Sequence, residues 1–257
     1  MLNHRAVTLL FLPLLAVLLG LSLYREFSLI FFFIALVVFI VIVVYGTFWI
    51  GAGYHLKALC AGVATEREIA ITFDDGPNSE ITPQLLDLLK ERGIKAGFFC
   101  IGKNIEGNED LLRRMDNEGH IIGNHSFSHG IMFDFFPAAW LMQDLTRAEQ
   151  AIAKAIGKKP LCFRPPYGVT TPHLARAVKG LYYTVIGWSI RSMDTSIKDD
   201  NKILKNVKRS LAPGAILLFH DNNPRILHII GELIDFALEH GYKIVGFDKL
   251  LGIKAYA

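Results

Sequence analysis

The sequence predicts an α/β chain, a (β/α) barrel of seven units preceded by an N-terminal transmembrane helical hairpin. Three observations lead there. The chain of 257 residues is 52% hydrophobic, too apolar for an ordinary soluble domain, and the excess sits at the N-terminus. Beyond residue 55, short apolar runs alternate with amphipathic segments, the pattern of a parallel sheet wrapped in helices. Several of those runs end in carboxylate, imidazole or guanidinium residues, and in such barrels chemistry sits where strands give way to loops.

The hairpin comes first. Residues 6–24 (AVTLLFLPLLAVLLGLSLY) and 27–54 carry no charge. A helix needs about 20 apolar residues to cross a bilayer. Arg25 and Glu26 alone separate the runs, so residues 1–54 predict two spans, about 6–24 and 28–50. A cleaved signal peptide competes for the first run, but no small-x-small site follows it and a second long run does. Two spans return residue 55 to the side of residue 1. Arg5 and the α-amino group flank one end and Lys57 and Arg67 the other, against Arg25 in the turn. The positive-inside bias therefore favours an integral protein of the cytoplasmic membrane with the domain beyond residue 55 in the cytoplasm. If one run is re-entrant or cleaved, that domain lies outside.

Residues 55–257 suffice for one domain with a sizeable core. Strands are expected at 68–73, 94–101, 120–123, 161–164, 182–188, 214–219 and 242–247. Helices are expected at 80–92, 103–118, 138–156, 172–179, 198–210 and 225–239. Gly93, Gly119 and Gly157 punctuate the helix ends. The barrel is slightly smaller than the usual eight units. A net charge of +3 argues for no nucleic-acid partner. Cys60, Cys100 and Cys162 have neither metal-knuckle nor disulfide spacing, and buried free thiols suit a reducing compartment.

The chemistry begins at "ITFDDGPNS", 71–79. A buried strand ends in two adjacent carboxylates before Gly76 and Pro77 break it. In "GHIIGNHSFSH", 119–129, His125 and His129 are four apart and can reach one metal ion. No glutamate follows His125, so the HExxH protease reading fails. One of Asp74 and Asp75 can complete a two-histidine, one-carboxylate set, leaving the other beside an activated water. "CFRPPYG", 162–168, ends a strand in Arg164, able to pair with a carboxylate and hold it ionised. "ILLFHDNNP", 216–224, ends another in His220, suited to acid work near neutral pH. In "GWSIRSMDT", 187–195, Asp194 can orient His220. Trp188 and Phe219 can supply apolar wall or ordinary core.

Together, "TFDDGP", "HSFSH", "RPPYG", the "DT" after "WSIRSM", and "LLFHD" resemble the motifs of the NodB-type polysaccharide deacetylases, carbohydrate esterase family 4. The resemblance covers about residues 66–250. It implies a distorted (β/α)7 barrel, the NodB homology domain, that removes N-acetyl groups from amino sugars with a divalent metal, most often zinc, with cobalt or nickel also suited. By position, Asp74 resembles the family's general base. Asp75, His125 and His129 match its metal ligands, and Arg164 the arginine that tunes the base. The Tyr167 backbone N–H would meet the oxyanion, Asp194 would orient the acid, and His220 would be that acid. Leu218 would line the acetyl pocket, with Trp188 and Pro166 beside it. The chain departs from the pattern at Arg191 and Thr195, which stand where many members carry an aspartate and a tryptophan. Gly97, within Ala96–Phe99, replaces a common threonine and reads as a packing variation.

The expected function is therefore N-deacetylation of an amino-sugar glycan, peptidoglycan-like or chitooligosaccharide-like. Two alternatives remain at this point. One is deacetylation or deformylation of a lipid-linked amino sugar, which a cytoplasmic domain at the inner leaflet could reach. The other is an inactive, membrane-tethered sugar-binding domain. A non-haem iron oxygenase would share the ligand set but would explain neither Asp74 nor His220.

Overall fold

The computed structural model describes residues 3–25, 27–63 and 66–257. Of the two residues expected to form the hairpin turn, Glu26 lies outside these. Helices α1 (His4–Leu23) and α2 (Leu29–Phe48) are 20 residues each and long and apolar enough to cross a membrane. Asn3 caps α1 by accepting from the Ala6 N–H, and Ser28 caps α2 by accepting from Ile30, which fixes where each helix starts. The two helices pack on each other, and Leu9, Leu23, Ile30, Val37 and Val41 project outward without protein cover.

The remaining elements run β1 (Glu68–Asp74), α3 (Ile81–Glu91), β2 (Gly97–Cys100), α4 (Gly102–Ile105), α5 (Glu109–Asn117) and β3 (Ile121–Asn124). They continue with α6 (Ala138–Ile156), β4 (Cys162–Phe163), α7 (Pro172–Gly180), β5 (Thr184–Val185) and β6 (Ile190–Arg191). The last are α8 (Asp200–Ser210), β7 (Ile216–His220), α9 (Arg225–Glu239), β8 (Lys243–Ile244) and α10 (Phe247–Leu251). The strands form one curled, all-parallel sheet in the order β5-β4-β3-β2-β1-β7-β6, with β8 pairing the start of β1.

Side-chain parity explains how this sheet carries both a core and a site. Successive residues of a strand face opposite sides. Ile69, Ile71 and Phe73 of β1 face outward, with Phe98 and Phe219, into the core formed with the outer helices. Ala70, Phe99 and Ile216 belong to a second, inner cluster. Thr72 and Asp74 have the inner parity. Both faces are covered, so the strands read as continuous apolar runs rather than alternating ones.

The structure departs from the expected barrel in its seam. The strand expected at 182–188 is the short β5 alone, and the unexpected β6 follows at 190–191, at the opposite end of the sheet order. They do not pair with each other among the described residues. The linker after the hairpin instead bridges the end of β5 to the start of β7. Leu59 pairs with Ile186 and Ala61 with Ala215, so the segment between hairpin and barrel closes the sheet. The helix expected at 103–118 is split into α4 and α5, and the strand expected through 247 gives way to α10.

Candidate active site

The register of the sheet assembles the site. Asp74 lies beside Phe99 of β2 on one side and beside His220 of β7 on the other. Both Asp74 and His220 are the last residues of their strands, so both open onto the same end of the barrel. Asp75 follows at φ 76°, and the left-handed turn aims its carboxylate away from that of its neighbour. Ser126, His129 and Tyr167 also have positive φ. Left-handed backbone at side-chain-bearing residues costs roughly 1–3 kcal/mol each and gathers at functional sites.

His125 Nε2 and His129 Nε2 lie 3.6 and 3.3 Å from one Asp75 oxygen. The three donor atoms fall within 4.8 Å of one another, close enough for one ion. His125 Nδ1 is 2.8 Å from the Arg164 carbonyl. That contact places the proton on Nδ1 and leaves Nε2 as a bare donor, the arrangement of a metal-ligating imidazole. Burial, then repulsion from His129, pushes His125 down to about 3, so the ring is neutral. Burial also lowers His129, against the Asp75 charge. The donor set fits a divalent ion.

Asp74 stands between that cluster and Arg164: one oxygen accepts from the guanidinium at 2.7 Å, and the other lies 3.7 Å from His125 Nε2. Both are buried. The same guanidinium binds Thr72 Oγ1 and the carbonyls of Ile186 and Gly187 at 2.8, 3.1 and 2.9 Å and stacks 4.1 Å over Phe99. Arg164 thus fills the seam where the β5–β6 segment leaves the sheet. Burial raises the Asp74 carboxyl above its ordinary value, with the Arg164 charge opposing.

Across the mouth, His220 Nδ1 is 2.9 Å from Asp194, whose other oxygen accepts the His220 backbone N–H. Ser192 donates to Asp194 at 2.6 Å. Burial works to lower the imidazole, but the hydrogen bond and charge of Asp194 outweigh it, and His220 is raised. The cavity between these groups has a volume of about 210 Å³. Its apolar wall is Leu218 and Trp188, and Tyr167, Arg191 and Thr195 also line it. The two positions that depart from the family pattern therefore face the site. Pro166 does not line the cavity. It is buried at the base of its turn, where its carbonyl accepts the Val169 N–H. Phe219 points the other way, into the core against Phe73.

Some residues that shape the site were not singled out from sequence. Asp144 of α6 accepts the Phe127 and Ser128 N–H groups at 2.7 and 3.1 Å and fixes the loop carrying His129. Its signal was a carboxylate on the apolar stripe between Leu141, Leu145 and Ala148. Asn124 accepts the Ser126 N–H, and Asn104 donates to the Asp75 carbonyl.

A two-histidine, one-aspartate cluster able to hold a metal ion thus sits beside an aspartate and an oriented histidine, at the strand ends of a curled parallel sheet. The family model described as polysaccharide deacetylase matches residues 61–186. A peptidoglycan-N-acetylglucosamine deacetylase of Bacillus cereus is 33% identical over 62% of this chain and 58% of its own. The peptidoglycan-N-acetylmuramic acid deacetylase PdaA of Bacillus subtilis is 31% identical over 76% of this chain and 75% of its own. The crystal structure of the Bc1960 peptidoglycan N-acetylglucosamine deacetylase superposes with a TM-score of 0.72 at 27% identity, covering 77% of this chain and 94% of that one. The chain belongs to the polysaccharide deacetylase family. It spans little more than half the length of the first of these relatives.

Proposed function

We propose that the chain is a metal-dependent hydrolase that removes N-acetyl groups from the amino sugars of a glycan. The observation that carries this reading is the division of labour between Asp74 and Asp75. One is bound to Arg164 and the other faces two imidazoles, around a single cavity shared with the Asp194–His220 pair. Asp75, His125 and His129 would hold the ion, zinc being the best match to two imidazoles and a carboxylate, with cobalt and nickel also suited. Such an ion acidifies water and polarises a carbonyl oxygen.

The chain's own groups supply the rest. Asp74 takes the proton of the attacking water, and its raised pKa makes it a stronger base than an ordinary carboxylate. Arg164 keeps it charged and aimed. The Tyr167 backbone N–H meets the oxygen that gains charge, an interaction worth roughly 3 kcal/mol. His220, held protonated by Asp194, gives its proton to the departing amine. Leu218 and Trp188 enclose the acetyl methyl. The products are acetate and a free amino sugar. An inactive sugar-binding domain would need no such acid–base pair.

The named activities of the relatives favour a glycan of N-acetylglucosamine type. A second reading, a lipid-linked amino sugar, is favoured by one feature. Ile131, Met132, Phe135 and Phe136, just after His129, are exposed. This loop is tied through the Asp134 carbonyl to Thr171, and the Thr170 N–H donates to Thr47 near the end of α2 at 2.9 Å. An apolar rim beside the apolar hairpin suits a mouth at the membrane surface. On this reading α1 and α2 anchor the chain in the cytoplasmic membrane with the barrel inside. Acetate release from N-acetylglucosamine oligomers and from a lipid-linked N-acetylamino sugar in nanodiscs separates the substrates. Faster release from the oligomers supports the glycan, faster release from the lipid supports the second reading, and none from either overturns both.

A further inference from the structure

A second cavity, of about 830 Å³, lies outside the barrel between the start of α1, the segment after α2 and the outer face of α7. Arg5, Lys57, Arg176 and Lys179 line it, and among the described residues no carboxylate does. Arg176 hydrogen-bonds His173 at 3.1 Å rather than an acid. Three further lining residues carry a buried polar atom with no hydrogen-bond partner, His4 Nδ1, Tyr54 Oη and His55 Nδ1. A buried polar atom left unpaired costs roughly 1–3 kcal/mol. Their rings pack in one cluster, His4 tilted against His55 at 4.9 Å and Tyr54 edge-on to His55 at 4.7 Å. Burial, then the neighbouring His4 charge, pushes His55 down to about 4. Positive charge is concentrated here without a counter-charge.

The position is as telling as the charge. His4 opens α1, and its N–H donates to the Tyr54 carbonyl at 3.0 Å, just beyond the end of α2. Both apolar helices therefore end at the cleft, which on the anchored reading puts it at the level of the lipid headgroups. Membrane orientation signals account for Arg5 and Lys57. They do not account for Arg176 and Lys179, which α7 brings from more than a hundred residues away. We propose that this cleft binds a phosphate anion, supplied by the headgroup of an anionic phospholipid or by free phosphate.

The full-length chain, purified in a non-ionic detergent, is titrated with phosphatidylglycerol, with phosphatidylcholine and with inorganic phosphate, and native mass spectrometry counts what each chain retains. The expected result is one phosphatidylglycerol per chain, held at least tenfold more tightly than phosphatidylcholine. Arg176→Gln with Lys179→Gln should weaken it at least tenfold, and Lys57→Gln should weaken it independently. Lys154→Gln with Lys205→Gln, on exposed faces elsewhere, should not. Retention of inorganic phosphate with the same variant pattern assigns the site to the free anion and upholds its chemistry. No retention of either, equal retention of phosphatidylcholine, or equal weakening by the two variant pairs overturns the proposal. Carbonate extraction of native membranes, read separately, reports on the anchor alone.

Discussion

Asp74 and Asp75 are adjacent in sequence yet belong to different halves of the site, and the separation is conformational. Asp74 keeps strand geometry and inner parity, which points it at Arg164, while Asp75 turns left-handed toward His125 and His129. The Asp74–Arg164 pair is buried. Removing one member strands the other, a loss of about 3–5 kcal/mol. Arg164→Ala is accordingly expected to lower the thermal unfolding midpoint sharply. It also removes the charge that opposes protonation of Asp74, so the acid limb of kcat against pH should move to higher pH. On the proposed mechanism the basic limb belongs to His220, whose pKa is raised by Asp194, and activity should fall as pH rises through that value. In Asp194→Asn the raising charge is gone, the imidazole loses its proton earlier, and the basic limb should move to lower pH. A pH–rate profile that leaves this limb in place would remove His220 from the acid role. At this scale the motif residues were legible because each breaks a local rule: a charged group closing an apolar strand. Asp144 was hidden because it acts through backbone N–H groups of a loop whose path no spacing reveals.

Among the elements, the long helices α6 and α9 were read to the residue, because a periodic apolar stripe and a terminal glycine or turn mark them clearly. The two-residue strands β4, β5 and β8 were placed but read too long, and β6 was not read at all. Their pairing depends on partners distant in sequence, and a short apolar run carries no period. The split of β5 from β6 depends on Arg164 and on the linker at Leu59, which is tertiary information. Gly97 has a local explanation that only the fold supplies. A Cβ there would lie 2.4 Å from the Phe247 ring of α10, so the glycine and the phenylalanine are one packing solution. Gly97→Thr should cost about 1–3 kcal/mol through overpacking, measured as a lower unfolding midpoint. Shrinking the obstacle with Phe247→Leu in the same chain should recover part of that loss, and a midpoint unchanged by Gly97→Thr alone would refute the packing account.

For the molecule as a whole, the barrel and hairpin are continuous through the linker. The segment that leaves α2 also closes the sheet seam at Ile186 and Ala215. Deleting the hairpin up to residue 54 leaves that closure intact, whereas deletion to residue 62 removes it and should yield an unstable domain by thermal unfolding in detergent-free buffer. The proposed anchor predicts that the full chain stays with membranes after carbonate extraction. Its release into the supernatant would refute the spanning reading without touching the site. The claim on which the catalytic account rests is that the paired aspartates divide base from ligand. Its most direct test is Asp74→Asn, with bound metal and acetate release measured on the same sample. The account predicts unchanged metal stoichiometry and turnover reduced by roughly 10²–10⁴-fold, the usual contribution of a positioned proton acceptor. Turnover retained, or metal lost with it, would contradict the division.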